Sequence, residues 1–285
     1  MYPAYLTKEK LHEFIRNAMK EDHGEGDHTS LGSIPLGTQV QAHLLFKQEG
    51  IVAGMEMAKI IFDMFSKDLS FESFKKDGEA IQAGEVGFKV SGDAIQLLGA
   101  ERLVLNCMQR MSGIATYTHY LKSLIKNSRA QLLDTRKTTP NFRIAEKWAV
   151  EIGGGINHRF GLFDMVMLKD NHIDFAGGVS KALKSTKSYL KKSRKKLKIE
   201  IEVRSLQELR EVMEEGGVDR IMLDNMMPSQ MRQGIAMIDG KYETEASGGI
   251  TEMSISEIAD TGVDYISVGA LTHSYKSLDM SLKAI

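Results

Sequence analysis

The stretch IEIEVRSLQELREVMEEGGVDRIMLDN (199–225) decides the fold. Ile199–Val203 and Arg220–Leu223 are short runs rich in β-branched and other apolar residues, bounded by polar turns. Between them, Leu206–Glu215 has its apolar residues at helical spacing. A strand, a helix and a second strand of these lengths form the unit that joins parallel neighbours in a sheet. The same texture continues in both directions. Gln131–Leu133 and Met165–Leu168 are short apolar runs upstream, and Glu243–Ala246 and Tyr265–Val268 lie downstream. Helices fit at Phe142–Ile152, Gly178–Lys192, Ser229–Ile238 and Ser254–Asp260. Six such units predict an α/β fold, a closed or nearly closed β/α barrel, although periodicity alone also admits an open doubly wound sheet.

The first part of the chain reads differently. Leu11, Phe14, Ile15, Ala18 and Met19 predict an amphipathic helix over 7–20, followed by the polar loop EDHGEGDHTS (21–30). Residues 39–92 read as short strands and turns around a helix at Met55–Phe65. Residues 94–126 are helical by pattern, with Gly99 and Ser112-Gly113 as interruptions and a domain boundary near the second.

Composition narrows the function classes. The 285 residues suit one large and one smaller domain, and 42% hydrophobic content with four prolines supports a real core. A formal net charge of −1 offers no global field for nucleic acid or an anionic membrane, so any anion must be held by a local cluster. The single cysteine, Cys107, excludes an intrachain disulfide, fits a reducing compartment and sits in an apolar run as a core residue. The charged N-terminal segment has no apolar signal core and no run approaches a membrane span, so the expected location is the cytoplasm.

The residues that follow the predicted barrel strands are polar, charged or glycine. In a β/α barrel these positions converge on one mouth, where the active site lies. Arg136, Lys137, Arg159 (after His158) and Lys169 would collect there. Gathering cations costs free energy through repulsion unless an anion relieves it, and arginine forks suit carboxylate or phosphate. The bland alternative pairs them with Asp134, Asp164 or Asp170. Glu202 and Asp224 would enter the same mouth, where carboxylates can hold hydrated magnesium, bind ribose hydroxyls or stabilise positive charge on a sugar. Glu200 shares the face of Glu202. Ser247-Gly248-Gly249 and Gly269-Ala270 end the last two strands, where close-approaching amides and a helix N-terminus suit a phosphate. Gly153-Gly154-Gly155 instead terminates a helix and shapes the loop that carries His158 and Arg159.

The segments GAERLVLNCMQRMSGIATYT (99–118), LLDTRKTTPNFR (132–143), EKWAVEIGGGINHRFGLFDMVMLKDNHI (146–173), IEIEVRS (199–205) and IMLDNM (221–226) resemble quinolinate phosphoribosyltransferases, as do EDHGEGDHTS and the ASGGI…GVDYISVGALTHS run (246–274). The likeness covers nearly the whole chain. It implies an N-terminal open-faced α/β sandwich over 1–112, rejoined by 273–285, and an incomplete barrel over 113–272. It also implies a homodimer with active sites at the interface, and catalysis with Mg²⁺. By this likeness Arg136, Lys137, His158, Arg159 and Lys169 face the two quinolinate carboxylates, with Arg102 reaching in from the partner subunit. Glu202 and Asp224 face the ribose of phosphoribosyl pyrophosphate, and Ser247, Gly248, Gly249, Gly269 and Ala270 take its phosphate. Catalysis rests with Lys137, Lys169, Glu202 and Asp224, and no direct metal ligand is assigned. Asn141 stands where many relatives have glycine, and asparagine tolerates left-handed backbone. A nicotinate-specific enzyme on the same scaffold is the alternative, but four cations beyond Arg136 favour a dicarboxylate.

Other signals carry less. His23 and His28 flank acids in the first loop and read as structural rather than metal-binding. Lys181–Lys198 holds nine Lys or Arg and reads as a solvated helix face, with Leu183, Tyr189 and Leu190 turned inward and no nucleic-acid role. Trp148 and most methionines read as core.

Overall fold

A computed structural model describes residues 3–285. In chain order the first elements are α1 (Lys8–His23), α2 (His28–Ser33), β1 (Gln39–Phe46), β2 (Gly50–Ile51), α3 (Met55–Phe65), β3 (Ser70–Ser73), β4 (Ala80–Ile81), β5 (Val86–Asp93) and α4 (Ala94–Leu124). Next come β6 (Gln131–Leu133), α5 (Arg143–Ile152), β7 (Val166–Leu168), α6 (Asp170–Ala176), α7 (Val179–Ser193), β8 (Ile199–Val203) and α8 (Leu206–Glu215). The remainder is β9 (Arg220–Asp224), α9 (Pro228–Ile238), β10 (Glu243–Ser247), α10 (Ile255–Ala259), β11 (Tyr265–Ser267), α11 (Ala270–His273) and β12 (Met280–Ala284).

The chain divides into two compact units. The first comprises residues 1–119, 138–154 and 271–285, and the second 120–137 and 155–270. In the first, an antiparallel sheet runs β12-β1-β5-β3. Alternation along β1 buries Ala42, Leu44 and Phe46. The C-terminal strand caps the open side of β1, pairing Leu44 with Leu282 and Phe46 with Met280. Thr7 accepts the N–H of Lys10 and starts α1, whose Leu11 and Ile15 are buried. The first loop is shorter than its polarity suggests, because α1 runs on to His23 and Asp27 caps α2 through the N–H groups of Thr29 and Ser30. Cys107 is buried, and burial pushes its thiol up to about 12.

The expected breaks in α4 do not occur, since one helix runs through Gly99, Ser112 and Gly113. A Cβ on Gly113 would stand 2.3 Å from the Lys276 carbonyl oxygen, so the glycine admits a crossing backbone. Ser112 Oγ accepts from Ala53 N–H at 3.0 Å and donates to the Ala53 carbonyl at 3.1 Å. Thr116 Oγ1 accepts from Ile51 N–H at 2.9 Å. Ser112 and Thr116 lie one turn apart and satisfy the backbone on and beside β2. Small and polar here means docking rather than chain reversal.

The 138–142 segment of the first unit hangs on a buried charge. Arg110 Nε donates to Glu146 Oε1 at 2.8 Å, and its Nη2 contacts Glu146 and Thr139. Thr139 N–H donates to the other Glu146 oxygen at 3.1 Å. The Arg110 guanidinium also lies over the rings of Phe142 and Tyr275. Asn141 takes φ 63°, the left-handed conformation expected of it. Trp148 is core.

The second unit is built on six parallel strands in the order β6-β11-β10-β9-β8-β7. Ile156 adds a parallel bridge to Leu133, and among the described residues no pairing joins this side to β7, so the barrel is incomplete. All five residues of β8 are buried. Its I-E-I-E-V alternation therefore does not mark a solvent face. Glu200 and Glu202 share one buried face and Ile199, Ile201 and Val203 the other. Tyr189 departs from expectation: it is exposed, while Leu183 and Leu190 are buried. Among the described residues no helix is long and apolar enough to cross a membrane.

Candidate active site

Parallel strands present their C-terminal ends on one side of the second unit, and the predicted residues follow those ends. Arg136 and Lys137 follow β6, Lys169 follows β7, and Glu202 lies near the end of β8. Asp224 ends β9 and Ser247 ends β10, paired in register. Arg102 lies in the first unit, exposed on α4.

The segment bearing His158 and Arg159 is pinned to β6. Ile156 N–H donates to Leu132 O at 2.8 Å, Asp134 N–H to Ile156 O at 3.2 Å, and His158 N–H to Asp134 Oδ1 at 2.8 Å. Asp164 accepts the N–H groups of Phe160 and Gly161 at 2.6 and 2.9 Å, closing the loop beyond. Two of the acids expected to pair with the cation cluster thus bind backbone N–H groups. Arg159 is half-buried and donates to the Met165 carbonyl at 3.2 Å. Burial and then the guanidinium of Arg136 lower its pKa.

Lys169 Nζ meets Glu202 Oε2 at 3.1 Å. Burial raises Glu202 above the usual carboxylate range; Lys169 opposes the shift, and Asp224 and Asp170 add to it. Asp224 accepts Ser247 Oγ–H at 2.5 Å on one oxygen and Asn225 Nδ2–H at 2.6 Å on the other. Asn225 is left-handed at φ 52°, and a Cβ on Gly248 would stand 2.2 Å from its side chain. Gly248 and Gly249 are themselves left-handed, at φ 91° and 58°. The expected helix N-terminus is not at this pair, because α10 starts only at Ile255; Ala270, after Gly269, opens the four-residue α11.

His158 is 8% exposed and is turned into the sheet. Its Nε2 lies 3.0 Å from Glu200 Oε2 and 3.4 Å from Glu245 Oε2, and its Nδ1 accepts Arg159 N–H at 2.7 Å. Beneath it, Arg220 sits 3.0 Å from Glu245 and 3.9 Å from Glu200. Against the penalty of burial, the two carboxylates push the imidazole up to about 9. Burial and the neighbouring Glu245 raise Glu200, whereas His158, Ser267 and Arg220 hold Glu245 low. Both ring nitrogens are thus engaged by the protein. The resemblance gives His158 as facing the quinolinate carboxylates; in this structure its ring lies beside the carboxylates of Glu200 and Glu245.

Sequence reasoning passed over Glu245 and Arg220, and weighed Asp170 only as a counter-charge to the cations. Glu245 was legible as the residue two before Ser247, on the same face, just as Glu200 precedes Glu202. The role of Arg220 was hidden because it begins its strand, at the end away from the mouth.

Family profiles described as "Quinolinate phosphoribosyl transferase, N-terminal domain" and "C-terminal domain" match residues 27–112 and 114–283. The chain is similar to "Quinolinate phosphoribosyltransferase [decarboxylating] 2, mitochondrial" of Nicotiana glauca, at 46% identity over 99% of this chain and 84% of the relative. It is 41% identical to the "Probable nicotinate-nucleotide pyrophosphorylase [carboxylating]" of Bacillus subtilis, over 96% and 93% of the two chains. The solved nicotinate-nucleotide pyrophosphorylase from Francisella tularensis superposes with a TM-score of 0.91 at 36% identity, covering 98% of each chain. This chain belongs to the quinolinate phosphoribosyltransferase family.

Proposed function

We propose that the mouth of the second unit transfers phosphoribosyl from phosphoribosyl pyrophosphate to the nitrogen of quinolinate, in NAD biosynthesis. Loss of the adjacent carboxylate as CO₂ then gives nicotinate mononucleotide, with pyrophosphate as the other product. The observation that carries the site is the placing of Arg136 after β6 and of half-buried Arg159 after the Ile156 bridge to β6, where burial and then the Arg136 guanidinium lower the pKa of Arg159. An anion with two carboxylates relieves that repulsion, and Lys137 and Lys169 add further positive charge.

Glu202 and Asp224 face the ribose in this reading. Developing positive charge at the anomeric carbon is stabilised by their carboxylates as pyrophosphate departs. Ser247, Gly248, Gly249, Gly269 and Ala270 hold the phosphate end through backbone amides that side chains would crowd. The acidic corner of Glu202, Asp224 and Asp170, in which burial first and the two neighbouring acids in addition raise Glu202, has the donor chemistry that Mg²⁺ prefers. When bound with the donor, Mg²⁺ neutralises charge on the leaving pyrophosphate. Lys169, held against Glu202, links the cationic and acidic halves of the mouth. Catalysis here is positioning and electrostatics, with no covalent enzyme intermediate.

Purified enzyme given phosphoribosyl pyrophosphate and Mg²⁺ is expected to release one CO₂ per pyrophosphate with quinolinate, and to show little turnover with nicotinate. Faster turnover of nicotinate would reassign the substrate.

The dimer is part of the proposal. Leu162, Phe163, Phe175, Met227 and Met253 are 66–93% exposed; the last three lie in segments that follow barrel strands, and the first two in the loop that carries Arg159. So many large apolar side chains around one mouth suit burial against a second copy, which would bring Arg102 to the site. Sedimentation should give a dimer for the parent chain and a shift toward monomer for Phe175→Glu with Met253→Glu. An unchanged dimer would place the interface elsewhere. A single cysteine, buried and reduced, fits the cytoplasmic location proposed for the enzyme.

A further inference from the structure

We propose that the cleft at the N-terminal ends of the barrel strands, where Lys198 and Lys241 flank β9 beside Tyr242 and Tyr265, is a second site, one that binds a nucleoside monophosphate. It lies at the far end of the strands from the mouth and shares no residue with it, so it stands apart from the reading of the mouth.

The register of the sheet builds the cleft. Arg220 on β9 pairs with Glu200 on β8 and with Glu243 on β10. Lys198 and Lys241 come two residues before those glutamates, so they stand on either side of the start of β9. Neighbouring strands lie about 4.8 Å apart, which sets the two lysine backbones roughly 10 Å apart, a span that two long side chains can close around one phosphate. The cleft encloses about 710 Å³. That exceeds what a single inorganic anion fills and lies within the range of about 300–1,000 Å³ typical of small-molecule sites.

Charge decides the sign of the ligand. Three acids line the cleft, and each is engaged by the fold. Asp264 accepts the N–H and the hydroxyl of Thr244 at 2.9 and 2.7 Å, and its other oxygen lies 3.2 Å from Arg129. Glu243 meets Arg220 at 3.1 Å and accepts the Tyr265 hydroxyl at 3.3 Å. Asp219 accepts the Ile199 N–H at 2.7 Å. The ammonium groups of Lys198 and Lys241, by contrast, have no hydrogen-bond or ion-pair partner among the described residues. Two unpartnered cations outweigh the one oxygen that Asp219 keeps open, and an anion restores the balance.

The remaining lining favours an aromatic ring beside that anion. Tyr242 and Tyr265 are partly exposed, and Val218 and Ile235 add apolar wall. The Arg220 guanidinium lies 3.9 Å from the centre of the Tyr265 ring and holds it in place. A flat base can lie against the tyrosines while its phosphate reaches the lysines.

The test is photolabelling of the intact enzyme with 8-azido-AMP, followed by peptide mapping. Label is expected in the segments around Tyr242 or Tyr265, prevented by excess AMP but not by quinolinate. Lys198→Glu with Lys241→Glu should raise the concentration that half-labels those segments by about 10-fold or more. Turnover of quinolinate and the melting temperature should hold in this variant, because both side chains are exposed and unpartnered. Three results would each overturn the proposal: label confined to segments that follow the C-terminal strand ends, equal labelling of the parent and the double variant, or protection by inorganic phosphate as effective as that by AMP.

Discussion

Arg159→Ala is expected to lower kcat/KM for quinolinate by on the order of 10³-fold while leaving the melting temperature within a few degrees of the parent. Truncating one member of a half-buried charge pair costs about 2–5 kcal/mol, and each 1.4 kcal/mol is a factor of ten. The group lost is a half-buried guanidinium whose pKa is lowered by burial and then by Arg136. Without it, the remaining cations must hold a dianion with one fork fewer. Arg159→Lys should fall between, because an ammonium restores charge but not the two parallel hydrogen bonds. Lys137→Ala should show a loss of similar order. Normal rates in both alanine variants, measured at saturating phosphoribosyl pyrophosphate, would remove the assignment. The contact from Arg159 to the Met165 carbonyl is the one structural cost of the substitution, and the thermal melt measures it separately.

Arg110→Met is expected to be the most damaging change to stability, at about 3–5 kcal/mol. Glu146 has no solvent exposure, and Arg110 supplies the positive charge against it. Removing the guanidinium leaves a buried carboxylate facing Thr139 N–H and strips a cation from the faces of Phe142 and Tyr275. The partner substitution discriminates the cause. Glu146→Gln in the Arg110→Met background should recover much of the loss, because the uncompensated charge is gone. Denaturant unfolding of the single and double variants reads the coupling. Additive losses would show that packing of the arginine stem, rather than charge, is what matters.

Much of this was legible in the chain. The parallel strands declared themselves through short apolar runs at regular spacing, and the polar residues after them marked the mouth. Two kinds of feature were not legible, for physical reasons. Ser112-Gly113 looks like a break because glycine and serine disfavour helix interiors. It stays helical because Ser112 and Thr116 receive the backbone around β2 and Gly113 admits the 276 carbonyl, contacts made by residues distant in sequence. Likewise His158 sits next to Arg159 in sequence, yet the first is buried and the second only half-buried. The two residues follow the Ile156 bridge, and contacts distant in sequence separate them: His158 lies beside acids from β8 and β10, and Arg159 donates to the Met165 carbonyl.

The acid-bearing face of β8 has one more consequence. In an oily barrel, neighbouring strands can slide with modest penalty, since one aliphatic residue replaces another. Here a slip of β8 by one position would exchange Glu200 and Glu202 for isoleucine and valine, and would drive both acids into the aliphatic layer behind. The charged lining therefore works as a key for alignment: Glu200 opposite Arg220 is a pairing that a displaced strand cannot reproduce.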